Sequence, residues 1–150
     1  MKPQFLQSIK QNIDIVRMSY YKQIYVYDYK YGNSVKVFSE TENIPYINVN
    51  MELSEKLIAI SQSKRKYDVT EFLQEIITER EEEIICLDYF ELLFHPELAV
   101  NPFQLLRDIS RNKTLVISWR GNIEDDVLIH AEPGHPEYKR QAVEDAIIIK

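Results

Sequence analysis

Cysteine is nearly absent from this chain: Cys86 is the single one in 150 residues. That excludes an intrachain disulfide framework and any zinc site built on several cysteines, and it fits a reducing compartment. Glycine is scarce as well. Only Gly32, Gly121 and Gly134 are present, so a glycine-rich ligand loop of the ordinary kind cannot be assembled. Long apolar runs are missing. The longest reach about five residues, against the ~20 needed to span a bilayer, and the first residues, MKPQFLQSIKQNIDIV, lack the apolar core of a secretory signal. The expectation is a cytoplasmic protein with no membrane partner. An excess of positive charge is lacking too. The formal net charge of −6 argues against holding nucleic acid by bulk electrostatics, although it leaves room for a local basic patch.

What is present is ordinary for a folded domain: 45% hydrophobic and 28% charged residues. At this length one domain, 1–150, with a sizeable core is expected. The ten tyrosines are many, and six of them lie between Tyr20 and Tyr31, so this aromatic stretch is a candidate interface.

The periodicity predicts alternating helices and strands. Phe5 to Met18 carries apolar residues at helical spacing, and Gln23 to Tyr29 is β-branched and aromatic, hence a strand. Residues 34–42 fit either a short helix or the second strand of a hairpin turning at Gly32-Asn33. Pro45 to Asn50 reads as a strand and Leu53 to Ile60 as a helix. Ser61 to Lys66 reads as a polar surface loop, with Asp68 or Thr70 capping a helix from Val69 to Arg80. Glu83-Ile84-Ile85-Cys86-Leu87-Asp88 follows: four unbroken apolar residues ending in a carboxylate, the pattern of a buried parallel strand. His95-Pro96 ends the next element, Asn101 caps a helix that begins at Pro102, and Thr114 to Trp119 is another buried strand. After a turn at 120–122, Val127 to His130 forms a fifth strand, 131–138 a structured loop, 137–144 a possible helix, and 145–149 a short terminal strand or packing segment. Strands alternating with helices predict an α/β fold, with a mainly parallel sheet flanked by helices.

Several residues invite a chemical reading. A P-loop places G-x-x-x-x-G-K-[ST] between a strand and a helix, so that backbone amides and the Lys hold phosphates and the hydroxyl holds Mg²⁺. Here Tyr27 to Ser34 aligns Gly32 and Ser34 with the second Gly and the hydroxyl. Tyr27 stands for the first Gly and Asn33 for the Lys, while the loop carries the acidic Asp28. Asp88 matches the acid that ends a metal-side strand, with Glu91 the nearest second carboxylate. Ser118 ends the next strand, where a polar side chain can sense a phosphate. Arg107, Arg111, Lys113 and Arg120 form a modest basic set near two helix and strand ends, able to meet phosphate or nucleic acid. His130, Glu132, His135 and Glu137 are clustered, but Pro133, Gly134 and Pro136 between them fit a locked loop, and no metal site is expected there.

Read in order, a set of segments carries a resemblance. It comprises Pro45-Tyr46-Ile47-Asn48-Val49-Asn50 with Leu53-Ser54, Leu87 through Leu98, Pro102 with Leu105-Leu106, Ser110 through Val116, and Ala131-Glu132-Pro133-Gly134-His135-Pro136-Glu137-Tyr138. Together they resemble the BrxF family, small P-loop-type proteins of bacteriophage-exclusion (BREX) systems. The resemblance implies an AAA-like P-loop NTPase fold, a three-layer sandwich. It also implies a role in phage defence beside larger BREX proteins.

With the phosphate Lys and the first Gly replaced, the expected function is that of an accessory subunit acting through assembly rather than ATP hydrolysis. In that reading Asp88 and Glu91 mark the acid-bearing strand, and Gly32, Asn33, Ser34 and Ser118 the nucleotide side. The alternatives are an AAA-like ATPase that binds ATP and Mg²⁺ with Lys30 or Lys36 as its phosphate lysine, and a DNA-associated module working through Arg111, Lys113 and Arg120. A homo-oligomer is compatible with each.

Overall fold

The computed structural model describes residues 3–28 and 32–150. Its centre is a five-stranded, wholly parallel sheet in the order β2-β3-β4-β1-β8, formed by β1 (Gln23–Tyr27), β2 (Tyr46–Asn48), β3 (Ile84–Asp88), β4 (Thr114–Trp119) and β8 (Ile147–Ile149). β3 and β4 are nearly continuous apolar runs because helices cover the sheet on both sides. The N-terminal helix α1 (Pro3–Val16) and α2 (Ser34–Glu42) cover one face, where Ile9, Ile13, Val16, Val35 and Phe38 pack on Ile24, Val26, Cys86 and Val116. The other face is covered by α3 (Val49–Ile58), α4 (Gln62–Thr78) and α5 (Pro102–Ile109), whose apolar sides bury Tyr25, Ile85, Leu87, Leu115 and Ile117. Alternate residues of β1 thus serve opposite layers, as the period of a strand requires. The result is an α/β sheet between two helical layers, and the choice left open at 34–42 falls to the helix.

Several expectations on the elements are corrected. The segment Ser61–Lys66 is not a loop, and neither Asp68 nor Thr70 is a cap: α4 already starts at Gln62, after an extended Ser61. Its first turn faces solvent and carries good helix formers, so nothing apolar marks it. Arg65 Nε also donates to the Leu57 carbonyl at 2.9 Å, which ties this turn to the end of α3. Asn48 caps α3, taking the Met51 amide on its side chain, so the strand expected to reach Asn50 stops at Asn48. Of the strand expected to run to Tyr29, residues 23–27 are extended and Tyr29 lies outside the described residues.

The largest correction concerns 122–142. Val127 to His130 does not join the parallel sheet. It is the middle strand, β6 (Val127–His130), of an antiparallel meander with β5 (Asn122–Glu124) and β7 (Lys139–Ala142). The stretch 137–144 is therefore strand in its middle, not helix: pairing with β6 overrides the helix-compatible composition of Lys139–Ala142. Asp125 and Asp126 both have positive φ (50° and 62°), the conformation of a tight primed hairpin turn between β5 and β6. Gly121 is required beside it, since a Cβ there would lie 2.4 Å from the Ile129 carbonyl oxygen.

Candidate functional site

The parallel order brings three strand ends side by side: β1 ending before Asp28, β4 ending at Trp119, and β3 ending at Asp88. The carboxyl edge of an open α/β sheet is where ligands are usually held. Here two carboxylates and a guanidinium converge.

Asp28 is the member that sequence reasoning passed over. It is 1% exposed. Its Oδ1 accepts the Ser34 amide at 2.9 Å and its Oδ2 the Val35 amide at 3.3 Å, so the carboxylate closes the amino end of α2, where Asn33 provides no side-chain cap. Ser118 Oγ donates to the same Oδ2 at 2.7 Å. A negative group is favoured at that position by the unpaired amides and the helix dipole. Gly32 permits the close approach, because a Cβ there would meet Asp28 Oδ1 at 3.0 Å and its Cα at 3.1 Å. The sequence signal was present: an acid at a strand end, six residues before a helix start.

Asp88 has no exposed surface, and each of its oxygens accepts two hydrogen bonds. Oδ1 takes Arg120 Nε (2.8 Å) and the Tyr89 amide (2.8 Å), while Oδ2 takes an Arg120 terminal nitrogen (2.9 Å) and the Tyr46 hydroxyl. The Arg120 contact is the bidentate fork that holds a carboxylate most firmly. The other terminal nitrogen of Arg120 donates to the Gly32 carbonyl at 2.7 Å, linking the β4 end to the segment that leads into α2. The hydrogen bond to Asp88 holds the guanidinium charged still more firmly than usual. Burial, with the bond to Asp88, pushes the Tyr46 phenol far above its ordinary range.

Tyr89 covers this pair. The Arg120 guanidinium lies 4.2 Å from its ring centroid. Tyr89 adopts φ 51°, a costly backbone for an aromatic residue. Its carbonyl is held there by the Asn50 amide at 2.6 Å. The Asn50 side chain accepts the Leu92 amide at 2.8 Å and donates to Glu91 Oε2 at 3.3 Å. Burial raises the pKa of Glu91. Asn33, Lys36, Tyr46, Met51, Tyr89 and Arg120 help to line a cleft of about 530 Å³ above these groups.

Gly32, Ser34, Asp88, Ser118 and Arg120 are thus brought together, and Asn33 and Glu91 flank them. Arg111 and Lys113 are not part of the group. They sit at the opposite end, before β4, where Lys113 Nζ donates to the carbonyls of Arg80 and Glu82 (both 2.7 Å) and Arg111 lies 4.9 Å from the Tyr20 ring. Arg107 is at that end too, 2.9 Å from Asp145 and 4.1 Å from the Tyr21 ring centroid, so the four basic residues do not form one patch. Lys30 lies outside the described residues. His130 Nε2 meets Glu137 Oε1 at 3.3 Å, and His135 Nδ1 accepts the Glu137 amide, so these side chains brace the loop. Among the described residues no three His, Cys, Asp or Glu side chains are grouped to hold a metal ion. No helix there is long and apolar enough to cross a membrane.

Chemically, both carboxylates already have their partners within the chain: Asp28 has the two α2 amides and Ser118, and Asp88 has the Arg120 fork and Tyr46. A phosphate at the start of α2 would meet the Asp28 carboxylate, and a metal ion at Asp88 would have to displace Arg120 or Tyr46. No family model, no curated protein and no solved structure matches this chain.

Proposed function

We propose that this chain is a P-loop-type, AAA-like domain that has replaced its nucleotide and metal contacts with side chains of its own, and that it serves a phage-defence complex of the BREX kind as an assembly subunit. The observation that carries the first half is the pair of internal substitutions. The Asp28 carboxylate takes the anion position at the amino end of α2, and the Arg120 guanidinium takes the cation position on Asp88. The layout supports it: the strand before the phosphate-loop segment is separated from the acid-ending strand by one that supplies a polar residue, Ser118, at its end. The second half rests on the ordered BrxF-like segments.

The missing phosphate Lys agrees with this reading, because Asn33 cannot supply a point charge. Calorimetry with Mg²⁺-ATP tests it. The expected result is no binding heat up to about 1 mM, a ceiling of roughly 4 kcal/mol of affinity. Micromolar binding with turnover that disappears in Asp88→Asn would overturn it. The defence role predicts co-purification with larger defence proteins from a host carrying the system, and chromatography of the chain free of them would end that half.

A second reading has one observation in its favour: Lys36, exposed, lines the cleft beside Arg120. If it serves as a phosphate lysine, Mg²⁺-ATP raises the melting temperature and Lys36→Ala abolishes the rise. The first reading expects no shift in either protein.

A further inference from the structure

Among the described residues, three buried side-chain atoms have no hydrogen-bond partner: Gln23 Oε1, Tyr25 Oη and Arg107 Nε. All three lie in one region. Gln23 and Arg107 line a cavity of about 390 Å³ beside the start of β1, between α5 and residues 141–145, which lead from β7 into β8. Tyr25 stands two residues on, on the same face of β1, with its ring 6.3 Å from that of Phe103, which also lines the cavity. A buried donor or acceptor left unmade is costly, and a fold keeps few of them unless something else occupies the place. Asp145 holds the two cavity residues side by side. Arg107 meets its carboxylate at 2.9 Å and lies 4.1 Å from the Tyr21 ring, which leaves Nε–H as a preset donor. Gln23 is 1% exposed and donates from Nε2 to the Asp145 carbonyl over 3.3 Å, a long bond from which the amide can turn its oxygen toward the cavity.

We infer that this cavity binds a neutral polyhydroxylated ring, a mono- or disaccharide, with Gln23 and Arg107 sharing one of its hydroxyls. A hydroxyl answers both orphaned atoms at once: its O–H donates to Gln23 Oε1 and its oxygen accepts from Arg107 Nε. Further acceptors stand on the same wall. Gln104 Nε2 is engaged by Asp108 and Gln141 Nε2 by the Ala142 carbonyl, so the side-chain oxygen of each remains for other hydroxyls. Charge narrows the class. Asp145 already balances Arg107, and Glu144 adds a carboxylate that has no ion pair among the described residues, so an anion is disfavoured. Phe103, 5% exposed, offers no open aromatic face on which a flat base could stack. The volume lies in the range of small-molecule sites and far exceeds the ~10–15 Å³ that one bridging water needs. The cavity is at the other end of β1 from Asp28, so the inference stands apart from the reading of the carboxyl edge.

Saturation-transfer NMR of the full chain with D-glucose, D-galactose, maltose and lactose, each at up to about 10 mM, tests this. Transfer to the ring protons of at least one sugar is expected. Gln23→Leu keeps the side-chain bulk and removes the orphaned acceptor, and it should abolish the transfer. Ala142→Trp, at an exposed position on the cavity wall, should abolish it by filling the space, and it decides alone if Gln23→Leu does not fold. D-glucuronate, the acid counterpart of glucose, should give weaker transfer than glucose. No transfer to any of these sugars overturns the inference. So does transfer that survives either substitution in a folded protein, or stronger transfer to glucuronate than to glucose.

Discussion

A buried carboxylate costs several kcal/mol unless its oxygens are occupied, and Asp28 and Asp88 are occupied in different ways. Asp88 depends on one cation. Arg120→Ala leaves a buried, unpaired charge and is expected to cost about 3–5 kcal/mol in urea denaturation. Arg120→Lys should recover little, since an ammonium cannot reproduce the fork. Adding Asp88→Asn to Arg120→Ala should restore part of the loss, because the uncompensated charge is then gone. Asp28 depends instead on amides and a hydroxyl. Asp28→Ala should cost about 1–3 kcal/mol, measured the same way, through loss of the α2 cap and of the partner of Ser118. Glu91 behaves in the opposite sense. Burial raises its pKa above 4.5, so its neutral form suits the fold, and its contribution is present at acid pH and lost as pH rises through the raised value. Glu91→Gln is therefore expected to be more stable than wild type at pH 7, and the advantage should vanish below about pH 4.5. Equal stability of the two proteins at pH 7 would contradict that.

Among elements, the apolar periods made α1, β3, β4 and α5 legible from residues alone. The Asn101-Pro102 start of α5 was legible from capping chemistry. Asn101 Oδ1 accepts the amides of Phe103 (3.1 Å) and Gln104 (3.3 Å), so Asn101→Ala should lower stability by about 1 kcal/mol in thermal or urea unfolding. Elements whose cause lies elsewhere in the chain were not legible. The first turn of α4 faces water and leaves no apolar mark. β5 and β7 exist because β6 pairs with them on both sides. The site divides in the same way. Asp88 and Ser118 stand out as polar residues ending apolar runs. That Arg120 grips Asp88, however, depends on β3 lying beside β4, and the role of Asp28 depends on α2 starting against the end of β1. Those are facts of topology, which no local window contains.

At the scale of the molecule, two apolar layers share one sheet, whereas the β5–β6–β7 meander has few buried residues, Leu128 and Ile129, with the half-buried His130 ring stacked 4.0 Å from Phe94. Amide exchange should therefore be slowest in β1, β3 and β4 and distinctly faster in the meander, which opens without the rest. Cys86, on the sheet itself, has its thiol pushed up to about 12 by burial. It should resist a disulfide reagent in the folded protein and react only when the sheet opens, and rapid labelling in native buffer would show a looser core. The Asp88–Arg120–Gly32 chain of contacts has a further consequence at this scale. It makes the carboxyl edge of the sheet a closed state with a definite energy. If prising Arg120 away costs about 3 kcal/mol, any ligand that needs Asp88 free finds fewer than one molecule in about a hundred ready for it, and its apparent Kd is worsened by the same factor. Whatever pulls Arg120 aside from outside would lift that handicap at once, so the arginine sets a threshold that a partner, and not the ligand, is placed to lower.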